Sequence, residues 1–198
     1  MDNKIFSKFN LYDQFAYLLV GSVGLGYIAV FVGLADYSFK IPALEISNSI
    51  LWLISAYYYG HIIQAIANII IREDKSNFSD SEKEVLDDAK VFFESKNTDY
   101  NFLFQLCYQK VLKGDNSLSI LTFVANYGLY RGWFVVNILQ TLLFLFLLVS
   151  SWFSFKILIV LLLFSLLSFL FYKRKNRFFT YLRTKVIQNT QIIISEND

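Results

Sequence analysis

Four stretches of this chain, residues 15–35, 50–71, 133–152 and 153–172, are apolar, almost free of charge and long enough to cross a lipid bilayer. A spanning helix needs about 20 apolar residues at about 1.5 Å of rise each. In hydrocarbon, backbone N–H and C=O groups have no water to bond, so runs of this kind predict helices. The chain has 198 residues, 56% of them hydrophobic, a single proline and a mean hydropathy of +0.45. A soluble domain of this size buries one core and does not carry four separate spanning runs. The sequence therefore predicts an all-α, polytopic membrane protein with four transmembrane helices and a small helical cytoplasmic cap. Its segments are residues 1–71 with spans one and two, the cap at 72–132, the hairpin of spans three and four at 133–172, and a basic tail at 173–198.

The net charge is only +2, but its placement sets a topology. Sixteen of the 18 Lys and Arg residues precede span one, lie between spans two and three, or follow span four. The positive-inside rule places those segments, and both termini, in the cytoplasm, with the connections around Lys40 and Lys156 outside. Trp133 and Trp152 stand at the two ends of span three, about 28 Å apart along a helix, as interfacial anchors do. The link around Ser154 and Lys156 is so short that spans three and four form an antiparallel hairpin. The opening residues, mixed in charge, lack the short apolar region and cleavage site of a signal peptide. Cys107, the single cysteine, has no disulfide partner in the chain and reads as a buried thiol on a helix.

Within the cap, Ser79 followed by Glu82 predicts a capping box opening a helix to about Glu94, with Val85, Leu86, Ala89 and Phe92 or Phe93 as its apolar stripe. A second helix spans 102–112 with Phe102, Leu103, Leu106, Tyr108 and Val111, closed by the Lys113-Gly114-Asp115-Asn116 turn. A third amphipathic stretch starts near Ser117 and runs toward span three. Such a cap is too short for an independent enzyme domain. The tail carries Lys173, Arg174, Lys175 and Arg177 beside Phe178, Phe179 and Tyr181, a pattern that suits contact with anionic lipid headgroups or with nucleic acid.

No catalytic constellation is present in the sequence. His61 is the only histidine, no nucleophile elbow accompanies it, and one His with one Cys cannot satisfy zinc. The glycines lie in an apolar run and not in a phosphate-binding loop. The sequence gives no reason to expect enzymatic activity, a cofactor, a metal or a small-molecule substrate. What it offers is polarity inside the spans. Tyr57, His61, Gln64 and Asn68 follow i, i+4, i+7, i+11 spacing on one face of span two, and Asn137 and Gln140 share a face of span three. These groups either bond one another between helices or line a hydrated path or a subunit interface. Asn126, Tyr130 and Arg131 stand at the cytoplasmic mouth of span three as a gate or interface, with Arg131 at a depth near Asn68 and Arg72. Gly21, Gly24, Gly26 and Gly33 in span one are candidate helix-packing positions. Span four, polar only at Ser165 and Ser168, is expected to face lipid.

The residues Gly60-His61-x-x-Gln64-x-x-x-Asn68, the opening Phe9-Asn10-Leu11-Tyr12-Asp13, and Asn126 through Arg131-Gly132 resemble small four-span bacterial membrane proteins found near phage-defence genes. In particular, they resemble the accessory proteins encoded beside the RNA-guided RNA nucleases of type VI-B CRISPR loci. The resemblance covers most of the chain. It implies an antiviral accessory in the bacterial inner membrane that modulates the nuclease response, and it marks His61, Gln64, Asn68 and Arg131. No Arg precedes His61, so the Arg-to-His spacing of nuclease-type relatives is missing and RNA cutting is not expected. Three functions fit: a homo-oligomeric effector that perturbs the membrane or forms a pore, a membrane-bound regulatory partner of an RNA-guided nuclease or RNA, or a small channel or transporter unrelated to defence.

Overall fold

The structure, a computed structural model, describes residues 3–35, 48–71, 78–114, 119–150 and 154–196, with side chains described from Ala16 onward. The expectations for Lys40, Arg72, Asp115, Asn116, Ser117 and Trp152, and for the side chains of Phe9 to Asp13, lie outside the described residues. Every described element is a helix: α1 (Asn3–Leu34), α2 (Ser49–Ile70), α3 (Asp80–Phe92), α4 (Tyr100–Gly114), α5 (Ser119–Ser150) and α6 (Phe155–Ser195). Four are long and apolar enough to cross a membrane: α1 over Ala16–Leu34, α2, α5 and α6. The boundary expected after Tyr172 is not a break, because α6 continues to Ser195. Nothing in the sequence there would stop it, as residues 133–198 contain neither Gly nor Pro.

The helices form two compact units. The first comprises Met1–Ile71 and Ala125–Asn176, and its centre is the contact between α1 and α2. Ala56, Gly60 and Ala67 recur on one face of α2 and are all buried. A Cβ on Gly21 would collide with the backbone carbonyl of Ala56, and one on Gly60 with the carbonyl of Tyr17. Helices embedded in lipid gain little from apolar burial against each other, so close backbone approach through small residues supplies the attraction. Val20, Ile63, Ala67, Val135 and Val136 form a core where α5 joins the pair, and Phe144, Ile157 and Phe164 form a second core between α5 and α6. Phe144 stacks on Phe164 at 5.4 Å, and Tyr27 meets the Phe164 ring edge-on at 4.6 Å. Outward-facing apolar side chains, including Leu53, Ile69, Phe146, Leu162 and Phe169, supply the lipid-facing surface. On α6, Ser165 and Ser168 return their hydroxyl hydrogens to the carbonyls of Leu161 and Phe164, so neither hydroxyl demands a partner from another helix. Gly21→Ala is expected to destabilise the detergent-solubilised protein by about 1–3 kcal/mol through overpacking. Gly26, which meets no atom within 4 Å, should accept Ala with an unchanged melting temperature.

The second unit comprises Arg72–Val124 and Arg177–Asp198, so the cap segment expected at 72–132 is joined by the C-terminal part of α6 and gives up its last residues to the first unit. Its core holds Leu86 and Ala89 of α3, Leu103, Cys107 and Val111 of α4, Ile120 of α5, and Val186 and Ile187 of α6. The α3 start is the capping box read from sequence: the Ser79 hydroxyl accepts from the Glu82 N–H, and Glu82 Oε2 accepts from the Ser79 N–H at 2.8 Å. Glu82 also binds Arg183 of α6, with Nε donating to Oε1 at 2.8 Å and Nη2 to Oε2, while the guanidinium lies over the Phe78 ring at 4.3 Å. Burial would raise the Glu82 carboxyl. The bonds from Arg183 and Ser79 outweigh burial and hold it below the usual carboxylate range.

A carboxylate whose folded value is depressed contributes stability that is fully present above its unfolded value and is lost as pH falls through the lower folded one. Hydrogen exchange on α3 should therefore speed up as pH drops from neutral through the carboxylate range, after correction for the intrinsic rate. Glu82→Gln should cost about 1 kcal/mol at neutral pH, since the pair is partly exposed, and should flatten that dependence.

Candidate functional site

The polar face of α2 is divided in two by the packing of α1. At about 100° per residue, Tyr57, His61, Gln64 and Asn68 fall within one narrow stripe. That stripe lies about 90° around the helix from the centre of the Ala56, Gly60 and Ala67 face. Gln64, on the inner shoulder and long enough to reach across, is 5% exposed. Tyr57, His61 and Asn68 are exposed on the protomer. His61 nevertheless has neighbours: its ring lies 4.1 Å from that of Tyr17 on α1 and 4.5 Å, edge to face, from that of Tyr57.

Gln64 joins α2 to α5 with both ends of its amide. Its Nε2 donates to the carbonyl of Gly128 at 2.9 Å, and its Oε1 accepts from Arg131 Nη2 at 3.0 Å. The Arg131 guanidinium also lies 5.5 Å from the Tyr127 ring centroid. Gly132 makes this possible, because a Cβ there would stand 2.7 Å from Gln64 Nε2 and 2.8 Å from Val20 Cγ2. The sequence placed Arg131 at a depth near Asn68 and Arg72; the structure gives it Gln64 as a hydrogen-bond partner, Asn68 is exposed, and Arg72 lies outside the described residues.

Asn137 and Gln140 are 0% and 1% exposed inside the first unit. Asn137 Nδ2 donates back to the Trp133 carbonyl at 2.7 Å, and the Tyr27 side chain of α1 approaches the same residue. Asn137 Oδ1 and Gln140 Oε1 make no hydrogen bond, a cost of about 1–3 kcal/mol each when buried. These two are buried whereas His61 and Asn68 are exposed, so the two halves of the expected seam have different environments.

Asn126 is half-buried on α5, and Tyr130 packs on Trp133, Phe171 and the Arg174 guanidinium. Of the candidate packing glycines, Gly21 meets Ala56 and Gly60, and Gly24 meets the Tyr59 ring. Gly26 and Gly33 meet nothing within 4 Å, because they face away from α2. Lys173 and Arg174 are exposed and seated over Phe169 and Tyr130, and Arg177 donates to the Tyr181 hydroxyl at 2.6 Å. Lys175 does not belong with them as a contact for lipid or nucleic acid: it is 3% exposed, with its Nζ 5.3 Å from the Tyr172 ring centroid. No group of three or more His, Cys, Asp or Glu side chains that could hold a metal occurs among the described residues. Gly60, Gly128 and Gly132 are the positions that spacing alone did not mark as helix contacts; small residues opposite long polar ones were the available signal.

The helices, their lipid-facing surface and the inter-helix amide bridge define a polytopic α-helical membrane protein. No protein-family model, curated protein or solved structure matches the chain.

Removing one end of the Gln64–Arg131 bridge leaves the other without its partner. Gln64→Leu and Arg131→Met in a double-mutant cycle, followed by thermal melting in detergent, should show a coupling of about 1–2 kcal/mol. Gln64→Glu, which still accepts from Arg131, should retain the bridge.

Proposed function

We propose that this chain is a multi-pass accessory or effector protein of the bacterial inner membrane, with both termini cytoplasmic. In this reading it works as a homo-oligomer and perturbs the bilayer in antiviral defence without catalysing a reaction. One observation carries the proposal: Tyr57, His61 and Asn68 lie exposed on a helix long and apolar enough to cross a membrane. Hydrocarbon is a poor solvent for an imidazole or a carboxamide, and such groups face protein or water when they are kept inside a bilayer. The protomer leaves them on its outer surface, so a neighbouring copy of the same face is the simplest partner. Copies arranged about a closed axis would surround it with these groups, giving a polar interface or a hydrated pore. The resemblance around Gly60 to Asn68 supports the defence setting, and the distribution of Lys and Arg supports the orientation.

A second reading, a membrane-anchored partner that holds an RNA-guided nuclease or its RNA near the bilayer, draws on the second unit, which has a buried core of its own.

In a Cys107→Ser background, oxidative cross-linking in membranes should join copies through Asn68→Cys or Tyr57→Cys, and not through Ile62→Cys, which is also exposed but lies around the helix from the polar stripe. His61→Leu and Asn68→Leu should reduce dye-reported depolarisation and phage protection about tenfold or more. Absence of cross-links together with undiminished depolarisation in both variants would rule the proposal out.

A further inference from the structure

We propose that Lys173 and Arg174 form a binding site for the headgroup phosphate of an anionic phospholipid at the end of the α6 span. The inference is independent of whether copies of the chain associate.

Depth comes first. The apolar part of α6, residues 155–172, covers about 27 Å as a helix, close to the thickness of a bilayer's hydrocarbon core. The next two side chains therefore emerge at the level of the phosphates. Both are exposed, and both are propped on aromatic rings: Lys173 Nζ is 5.6 Å from the Phe169 centroid, and Arg174 Cζ is 5.6 Å from that of Tyr130 on α5. Tyr130 is itself held by Trp133, at 5.5 Å between ring centroids. Tyr and Trp rings settle at the boundary between acyl chains and headgroups, so Tyr130 and Trp133 hold Arg174 at that boundary, with Lys173 beside it over Phe169.

Charge points the same way. The described side chains of this unit include Arg131, Lys156, Lys173, Arg174 and Lys175, and no Asp or Glu. A phosphodiester with net negative charge complements that excess, and a zwitterionic headgroup does so only weakly.

The surface below the cations decides between lipid and nucleic acid. Phe169 is 56% exposed and Leu166 is 55% exposed, one and two turns before Lys173. A lipid covers this arrangement with one molecule, its phosphate on the cations and its acyl chains on Phe169 and Leu166. A nucleic acid would leave the apolar half uncovered.

The test uses the full chain with Trp133 as its only tryptophan (Trp52→Phe, Trp152→Phe), reconstituted in phosphatidylcholine. Equal mole fractions of chain-brominated phosphatidylglycerol or chain-brominated phosphatidylcholine are added as quenchers. Brominated phosphatidylglycerol should quench more strongly, and the relative association constant should fall about fivefold for each cation removed in Lys173→Gln and Arg174→Gln. The charge-preserving pair Lys173→Arg/Arg174→Lys should keep the preference, as should Lys156→Gln at the other end of the span. Equal quenching by the two lipids, or a preference that survives the double Gln variant, would overturn the proposal. Loss of the wild-type preference on adding inorganic phosphate or a short single-stranded RNA would also overturn it, identifying a soluble phosphate or a nucleic acid as the occupant.

Discussion

The backbone crossing of α1 over α2 at Gly21 and Gly60 is the contact on which the rest of the first unit depends. Because lipid offers no hydrophobic drive for one helix to seek another, the approach has to be close enough for van der Waals contact between main chains. That requirement fixes which side of α2 is turned inward. Once Ala56, Gly60 and Ala67 face α1, Gln64 comes to the shoulder where α5 passes, and His61 and Asn68 are carried to the outside. Gly132 then admits Gln64 and Val20 against α5, so one glycine on each of three helices governs the polar geometry of the unit.

Much of the architecture could be read in the chain because it is encoded locally. Spanning runs are stretches of consecutive residues, and the α3 start is a four-residue signal whose partners, Ser79 and Glu82, lie within one turn. What was not legible depends on distance or direction. The Gln64–Arg131 bond joins residues 67 positions apart on two different helices, so no local pattern could pair them. Small-residue content marked Gly21, Gly24, Gly26 and Gly33 alike, although only the first two face a neighbour. A run of cations made Lys175 look like its exposed neighbours, while helical rotation turns it inward. The end of the apolar run at Tyr172 resembled the end of a helix, but hydropathy changes there and backbone propensity does not.

The two units solve different solvent problems with different chemistry. In the first, polar contacts run through amides and a guanidinium, with no carboxylate among the described side chains. In the second, the capping residue of α3 is also the ion-pair partner of α6, so that Glu82 ties a helix terminus to a tertiary contact. Neutral acceptors suit an environment where desolvating an anion is costly, whereas an ion pair between partly exposed side chains suits water.

Cys107 lies at 0% exposure in the core of the second unit, its thiol pushed up by burial against the weaker opposing effect of Thr190. Sealed and protonated, a thiol of this kind is inert until the surrounding helices part. The chain thus carries its own reporter: the speed at which an alkylating reagent consumes its sole sulfhydryl rises with the fraction of time α4 stands open from α3 and α6, with no engineered cysteine needed.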